Sequence, residues 1–241
     1  DDQYYVFIVE SLGIASKSVS RNLFLDETTI KRVHASLELL QRFSVFTDHN
    51  QKYKDNQIIP LLVSLLKDIV TQRTLFGADV ESVADKTSFV LSNICLTDFF
   101  DELFLQYCVL EVLTTASAST KIFYSLLQTI LNISSRTSDT SRQIIKQSNA
   151  MKTVVNELKL QLQPQQATTS VLHSSSQNTD PKEKQKRLLL VSKILVNFSL
   201  DDEYTTELFN VEPAIMESVV KLSKYFIADI AERGLVVKNN L

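Results

Sequence analysis

Apolar residues along the chain recur mostly at intervals of three and four, the spacing of one face of an α-helix. Ile30, Val33, Leu37 and Leu40 form one such stripe, Leu62, Leu65, Leu66 and Ile69 a second, and Ile122, Leu126 and Ile130 a third. The pattern predicts helices from end to end, joined by short polar turns. Three glycines (Gly13, Gly77, Gly234) and four prolines are too few for a run of tight hairpins or for glycine-rich phosphate loops. The fold class expected is therefore all-α.

Three of the apolar runs end in the same way. "SFVLSNICLTD", "LLQTILNISSRTSD" and "LLLVSKILVNFSLDDEY" each carry an asparagine near the end, at Asn93, Asn132 and Asn197, followed by small and polar residues. Asn93 and Asn132 are 39 residues apart, whereas Asn132 and Asn197 are 65 apart, an excess of 26. Between the latter pair lies "QPQQATTSVLHSSSQNTDPKEKQK", whose Gln, Ser, Thr and Lys content predicts a disordered insertion over 163–187. Discounting it restores a period of about forty, in the range of repeats built from helical pairs or triplets.

A second landmark follows the same period. "IIPLLVSLLKDI" from Ile58 and "VEPAIMESVVKL" from Val211 place Pro60 and Pro213 ahead of an apolar helix, where the missing N–H is harmless. The corresponding inner segments are "YCVLEVLTTA" and "SNAMKTVVNEL". Thr47 and Asp48 align with Thr97 and Asp98 at a spacing of 50, the longer interval being assigned to a loop, "TQRTLFGADVESVADK".

With Ile59 to Leu66 matching "IPxLVxLL" and Leu91 to Ile94 matching a terminal "LxN" and a following residue, the chain resembles the armadillo family over roughly residues 28 to 225, as about four units. The resemblance implies a right-handed α-solenoid of about four armadillo-like repeats with helical caps, an extra N-terminal helix and a C-terminal "IADIAERGLVVKNN", forming a single domain over 1–241. It also implies three helices per unit, with the third-helix asparagines facing a concave groove, where a side-chain amide can bond the main chain of an extended peptide. Two family features are missing. Asn, Tyr or Val stands where a glycine usually joins the first two helices, and Phe89, Gln128 and Lys193 stand where nuclear-import members carry a tryptophan. Binding of nuclear-localisation signals is accordingly not expected.

Candidate partner-binding residues are Asn93, Asn132 and Asn197 for main-chain contacts, with Phe89, Tyr124, Gln128 and Lys193 supplying selectivity. Each has a structural alternative: an asparagine can tie down the turn between units, and an aromatic residue can be core. Asn132-Ile133-Ser134 also reads as a glycosylation sequon, which would require a surface loop in a secreted protein.

Composition narrows the function classes. At 44% hydrophobic and 22% charged over 241 residues, the chain can bury a core; its net charge of -3 and pI near 5.7 offer no general attraction to nucleic acid or anionic membrane. The N-terminal apolar run is shorter than a membrane span, so no membrane insertion is expected. The cytoplasm is the expected compartment, with the nucleus as the alternative. Cys95 and Cys108 read as small hydrophobes in helical context, and His34, His49 and His173 show no metal-ligand spacing. No phosphate cradle, nucleophile elbow or paired carboxylate stands out, so the expectation is a non-enzymatic scaffold or adaptor without a cofactor, holding a partner segment on its third-helix surface. The alternative is a helical regulatory or self-association domain of a larger enzyme or of a cytoskeletal or cell-division regulator. The acidic groups Asp98, Asp101, Glu102 and Asp201, Asp202, Glu203 read as helix starts that also decorate one rim.

Overall fold

A computed structural model of the chain describes residues 2–117, 120–162 and 181–226, and among them every element is helical. Most of the polar segment, 163–180, and the C-terminal "IADIAERGLVVKNN" lie outside the described residues. Residues 181–187 are instead the first two turns of a helix, opened by Pro181 at a position that needs no N–H donor. The chain divides into two compact units, Asp1–Ala150 and Met151–Leu241.

The first unit holds α1 (Asp2–Ser20), α2 (Glu27–Phe43), α3 (Asn50–Asp55), α4 (Ile58–Thr71), α5 (Val80–Ile94), α6 (Asp101–Gln106), α7 (Val109–Ala116), α8 (Thr120–Ser134) and α9 (Asp139–Gln147). The predicted stripes become its core. Val33, Leu37 and Leu40 of α2 are buried, and Asp26 caps that helix by accepting from the Thr29 N–H at 2.7 Å. In α4, Ile58, Ile59, Leu62, Leu65, Leu66 and Ile69 are all buried, each stabilising the fold by about 1.5–3 kcal/mol relative to exposure. A helix so apolar needs neighbours on several sides, and α4 packs against α1, α5 and α7.

Packing in this unit has a period of three helices. α4 lies against α1 and α7 against α4; α5 lies against α2 and α8 against α5; α9 lies against α6. α4, α5, α7, α8 and α9 thus each pack on the helix three elements earlier. The turn between the first two helices of a triplet uses a left-handed residue, Gln57 before α4 (φ 53) and Cys108 before α7 (φ 52). Only glycine enters that region without steric cost, so here glutamine and cysteine carry a strained junction, one position later than the Asn and Tyr singled out in the sequence. Before α10 the corresponding turn is extended at Ser148 (φ -88, ψ 155).

Two details of the alignment change. Gln57 and Cys108, like the starts of α3 and α6, are 51 residues apart, so Thr47 lies inside its 3₁₀ turn whereas Thr97 precedes the equivalent turn. The segment read as a loop over 71–86 is a 3₁₀ stretch, Arg73–Asp79, running into α5, and Gly77 makes its kink at φ 57, ψ -138.

The second unit contains α10 (Ala150–Leu162, beginning at the boundary), α11 (Pro181–Ser199), α12 (Asp202–Val211) and α13 over 215–226. α11 packs on α12. Glu157 and Arg187, both largely buried, pair at 3.3 Å, with Gln161 donating to the same carboxylate oxygen at 2.9 Å. Asp201 caps α12 by accepting from the N–H groups of Glu203 and Tyr204 at 3.0 and 3.1 Å, a helix start as its sequence context suggests. Pro213 sits in the turn just before α13. Among the described residues no helix is long and apolar enough to cross a membrane.

Candidate functional site

The side-by-side packing of α2, α5 and α8 leaves an open groove across their solvent face. Its lining includes Gln41 from α2, Lys86 and Phe89 from α5, and Lys121, Tyr124 and Ser125 from α8. The space amounts to about 680 Å³ and is open along one side. A cavity that encloses a small ligand is mostly apolar and closed; this one is open and of mixed polarity, which suits a chain laid along it.

Phe89 lines the groove with 47% of its surface exposed. The alternative reading of this aromatic as core is therefore wrong, whereas Tyr124 is half-buried on the same groove. Charges bridge the helices on either side. Lys86 Nζ donates to Glu38 Oε1 of α2 at 2.7 Å and to His34 Nδ1 at 3.2 Å; Lys121 Nζ of α8 lies 3.4 Å from Asp85 Oδ2 of α5. The hydrogen bond and charge of Lys86 hold the Glu38 carboxyl below its ordinary range. His34 also meets Asp79 Oδ1 through Nε2 at 3.3 Å.

The asparagines sit deeper than Phe89. Asn93 Nδ2 donates to Ser44 Oγ, just past the end of α2, at 3.0 Å. Asn132 Nδ2 donates to the Ser92 carbonyl of α5 at 3.3 Å and contacts Cys95 Sγ at 3.5 Å, while its Oδ1 accepts from Gln128 Nε2 at 2.9 Å. Each amide ties the end of its own helix to the end of the previous third helix. The sequon asparagine, Asn132, lies within a helix, as does Asn197 of the triplet Asn197-Phe198-Ser199, and Ile133 and Ser134 are buried. Of the remaining candidates, Gln128 is half-buried beside Asn132; Asn197, half-buried, and Lys193, exposed, belong to α11 of the second unit.

Beneath the end of α8 lies a polar network that the sequence did not reveal. Arg136 pairs with Asp101 and donates to the Cys95 carbonyl, and Ser141 Oγ donates to Asp101 Oδ2 at 2.8 Å. Asp101 is 4% exposed, so it does not decorate a rim with Asp98 and Glu102. Burial pushes the Cys95 thiol up to about 11, leaving it protonated and unreactive at neutral pH. Cys108 departs from its assignment as an apolar helical residue: it is exposed, at the left-handed junction. Among the described residues no cluster of three or more His, Cys, Asp or Glu side chains could hold a metal ion.

Sequence reasoning found Phe89 and Tyr124 but missed Lys86 and Lys121, which share their groove. The signal was present, since Ser82, Lys86 and Phe89 recur at intervals of four and three on one face of α5. Comparison with protein-family models, with curated proteins and with solved structures finds no match to this chain.

Proposed function

We infer that the chain is a protein-interaction scaffold of armadillo-like type, with about four repeats in a right-handed solenoid, and that it holds an extended or helical segment of a partner protein along its third-helix surface. The three-helix packing period of the first unit supports the repeat reading. The observation that carries the functional one is Phe89, a half-exposed aromatic ring in a groove bordered by polar bridges from α2 and α8. Leaving half of such a ring in water forgoes burial of about 1 kcal/mol, and aromatic side chains of this kind anchor interfaces.

Gln128, half-buried beside Asn132, is the amide proposed to meet a peptide main chain. It uses one N–H on Asn132, and its second N–H and its carbonyl oxygen are available for a partner's C=O and N–H. Asn93 keeps its Oδ1 for the same purpose. Tyr124, Asn197 and Lys193 complete the proposed set, and the reading needs no cofactor and no catalytic group.

The test is affinity capture from extract of the source cells with the wild-type chain beside a Phe89→Ala variant, followed by mass spectrometry. Proteins recovered by the wild type and lost from the variant support the groove. Equal recovery by both baits refutes it.

A further inference from the structure

We propose that the adjoining turns after α2 and α5 form a second docking surface, separate from the groove, whose occupant is a basic amphipathic helix of a partner protein. The two turns are neighbours: Asn50 Nδ2 donates to Thr97 Oγ1 at 3.4 Å, Asn93 of α5 reaches Ser44 of the first turn, and the rings of Tyr53 and Phe100 lie 6.4 Å apart beneath them. On their outer side stand Val45, Phe46, Leu96 and Phe99, exposed by 56, 58, 57 and 44%.

Single exposed apolar residues are ordinary; four on two adjoining turns form a contiguous patch of the kind that marks an interaction site. The patch ends abruptly. The next third-helix turn, after α8, reads Ser135, Arg136, Thr137, Ser138 and carries no large apolar residue. A packing requirement common to every turn would have placed apolar residues there as well.

Charge complementarity selects the occupant. Asp48, Asp98 and Glu102 are exposed around the patch and have no ion-pair partner among the described residues. Of the nearby cations, Lys52 is neutralised by Asp2 at 2.9 Å, and Lys54, over the Phe99 ring at 5.6 Å, offsets one of the three carboxylates. The surroundings are therefore net acidic, which disfavours an anionic membrane surface and favours Lys or Arg on a protein. Spacing selects the form. Packed helices such as α2 and α5 lie about 8–10 Å apart, and seven residues of an α-helix advance about 10 Å. A partner helix with two apolar side chains a heptad apart meets both turns, and basic residues beside them meet Asp48 and Asp98.

The experiment is selection of a phage-displayed library of random 16-residue peptides on the whole chain, with counter-selection on a Val45→Ser/Phe46→Ser/Leu96→Ser variant, then affinity by fluorescence anisotropy. The expected peptides carry apolar residues at heptad spacing flanked by Lys or Arg. Their affinity falls at least tenfold with Phe46→Ser or Asp48→Lys/Asp98→Lys and stays within twofold with Phe89→Ala. That last arm separates this surface from the groove. Circular dichroism confirms that each variant folds, as substitution of exposed side chains permits. An empty selection, acidic or unpatterned peptides, or affinity retained by the triple variant overturns the proposal. So does concentration-dependent dimerisation in light scattering that Phe46→Ser abolishes, which would make the occupant a second copy.

Discussion

Replacing Asn132 with alanine distinguishes a staple between helices from a group held ready for a peptide. The side chain makes two hydrogen bonds of ordinary geometry, one to the Ser92 carbonyl and one from Gln128, plus a weak contact to Cys95 Sγ. A net hydrogen bond contributes about 0.5–1.5 kcal/mol, so the loss comes to about 1–3 kcal/mol. For a unit of this size, roughly 2–4 °C of Tm is lost per kcal/mol, which places the fall at about 4–8 °C for a loss of about 2 kcal/mol. Asn93→Ala removes one bond, to Ser44, and should lower stability by about 1 kcal/mol. Gln128→Ala should couple to Asn132→Ala by about 0.5–1 kcal/mol in a double-mutant cycle, because the two amides share a bond. Thermal unfolding followed by circular dichroism, with urea titration for the cycle, reads all of these. A Tm of Asn132→Ala within about 1 °C of wild type would refute the staple.

Three further predictions concern the frame that holds the groove. Asp101→Ala leaves the half-buried Arg136 without its carboxylate and should cost about 3 kcal/mol, seen as a fall in urea midpoint that Asp101→Asn partly spares. Gln57→Gly and Cys108→Gly relieve left-handed strain of about 1–2 kcal/mol each; against the added freedom of the unfolded chain, each should still raise Tm by roughly 1–3 °C. Burial pushes the Tyr5 phenol up to about 12 and raises that of Tyr53 further. Both groups hold their protons in the fold above the pH at which an unfolded tyrosine loses them, so stability is full below about pH 10 and falls as pH rises from there, by up to about 1.4 kcal/mol per pH unit for each ring. Absorbance at the tyrosinate band, recorded with far-UV circular dichroism, should show these two of the seven tyrosines ionising only as helicity is lost.

The helices and their apolar faces were legible because a periodicity of three to four needs no tertiary knowledge: the stripe of α4 is buried as predicted, and that of α2 from Val33 onward, with Ile30 half-buried. The turns were less so. Thr47 and Thr97 look equivalent as letters, but the one-residue shift between their 3₁₀ turns is fixed by backbone bonds that the sequence does not display. The left-handed junctions were placed one residue early because glycine, their usual marker, is replaced by Gln57 and Cys108. In the groove, Phe89 and Tyr124 were within reach of the helical period. The Asp101–Arg136 pair was not, since it joins residues 35 positions apart, and an acidic residue near a helix start reads the same whether it faces water or a buried guanidinium.

The face built from α2, α5 and α8 is proposed to hold a partner. The most direct measurement is site-specific photo-crosslinking in source-cell extract, with benzoylphenylalanine placed at Phe89 and, as a control, at the exposed Lys67 of α4. A discrete adduct at position 89, absent at 67 and competed away by unlabelled wild-type chain, is the predicted result. No adduct at 89, or the same adducts at both positions, would contradict it.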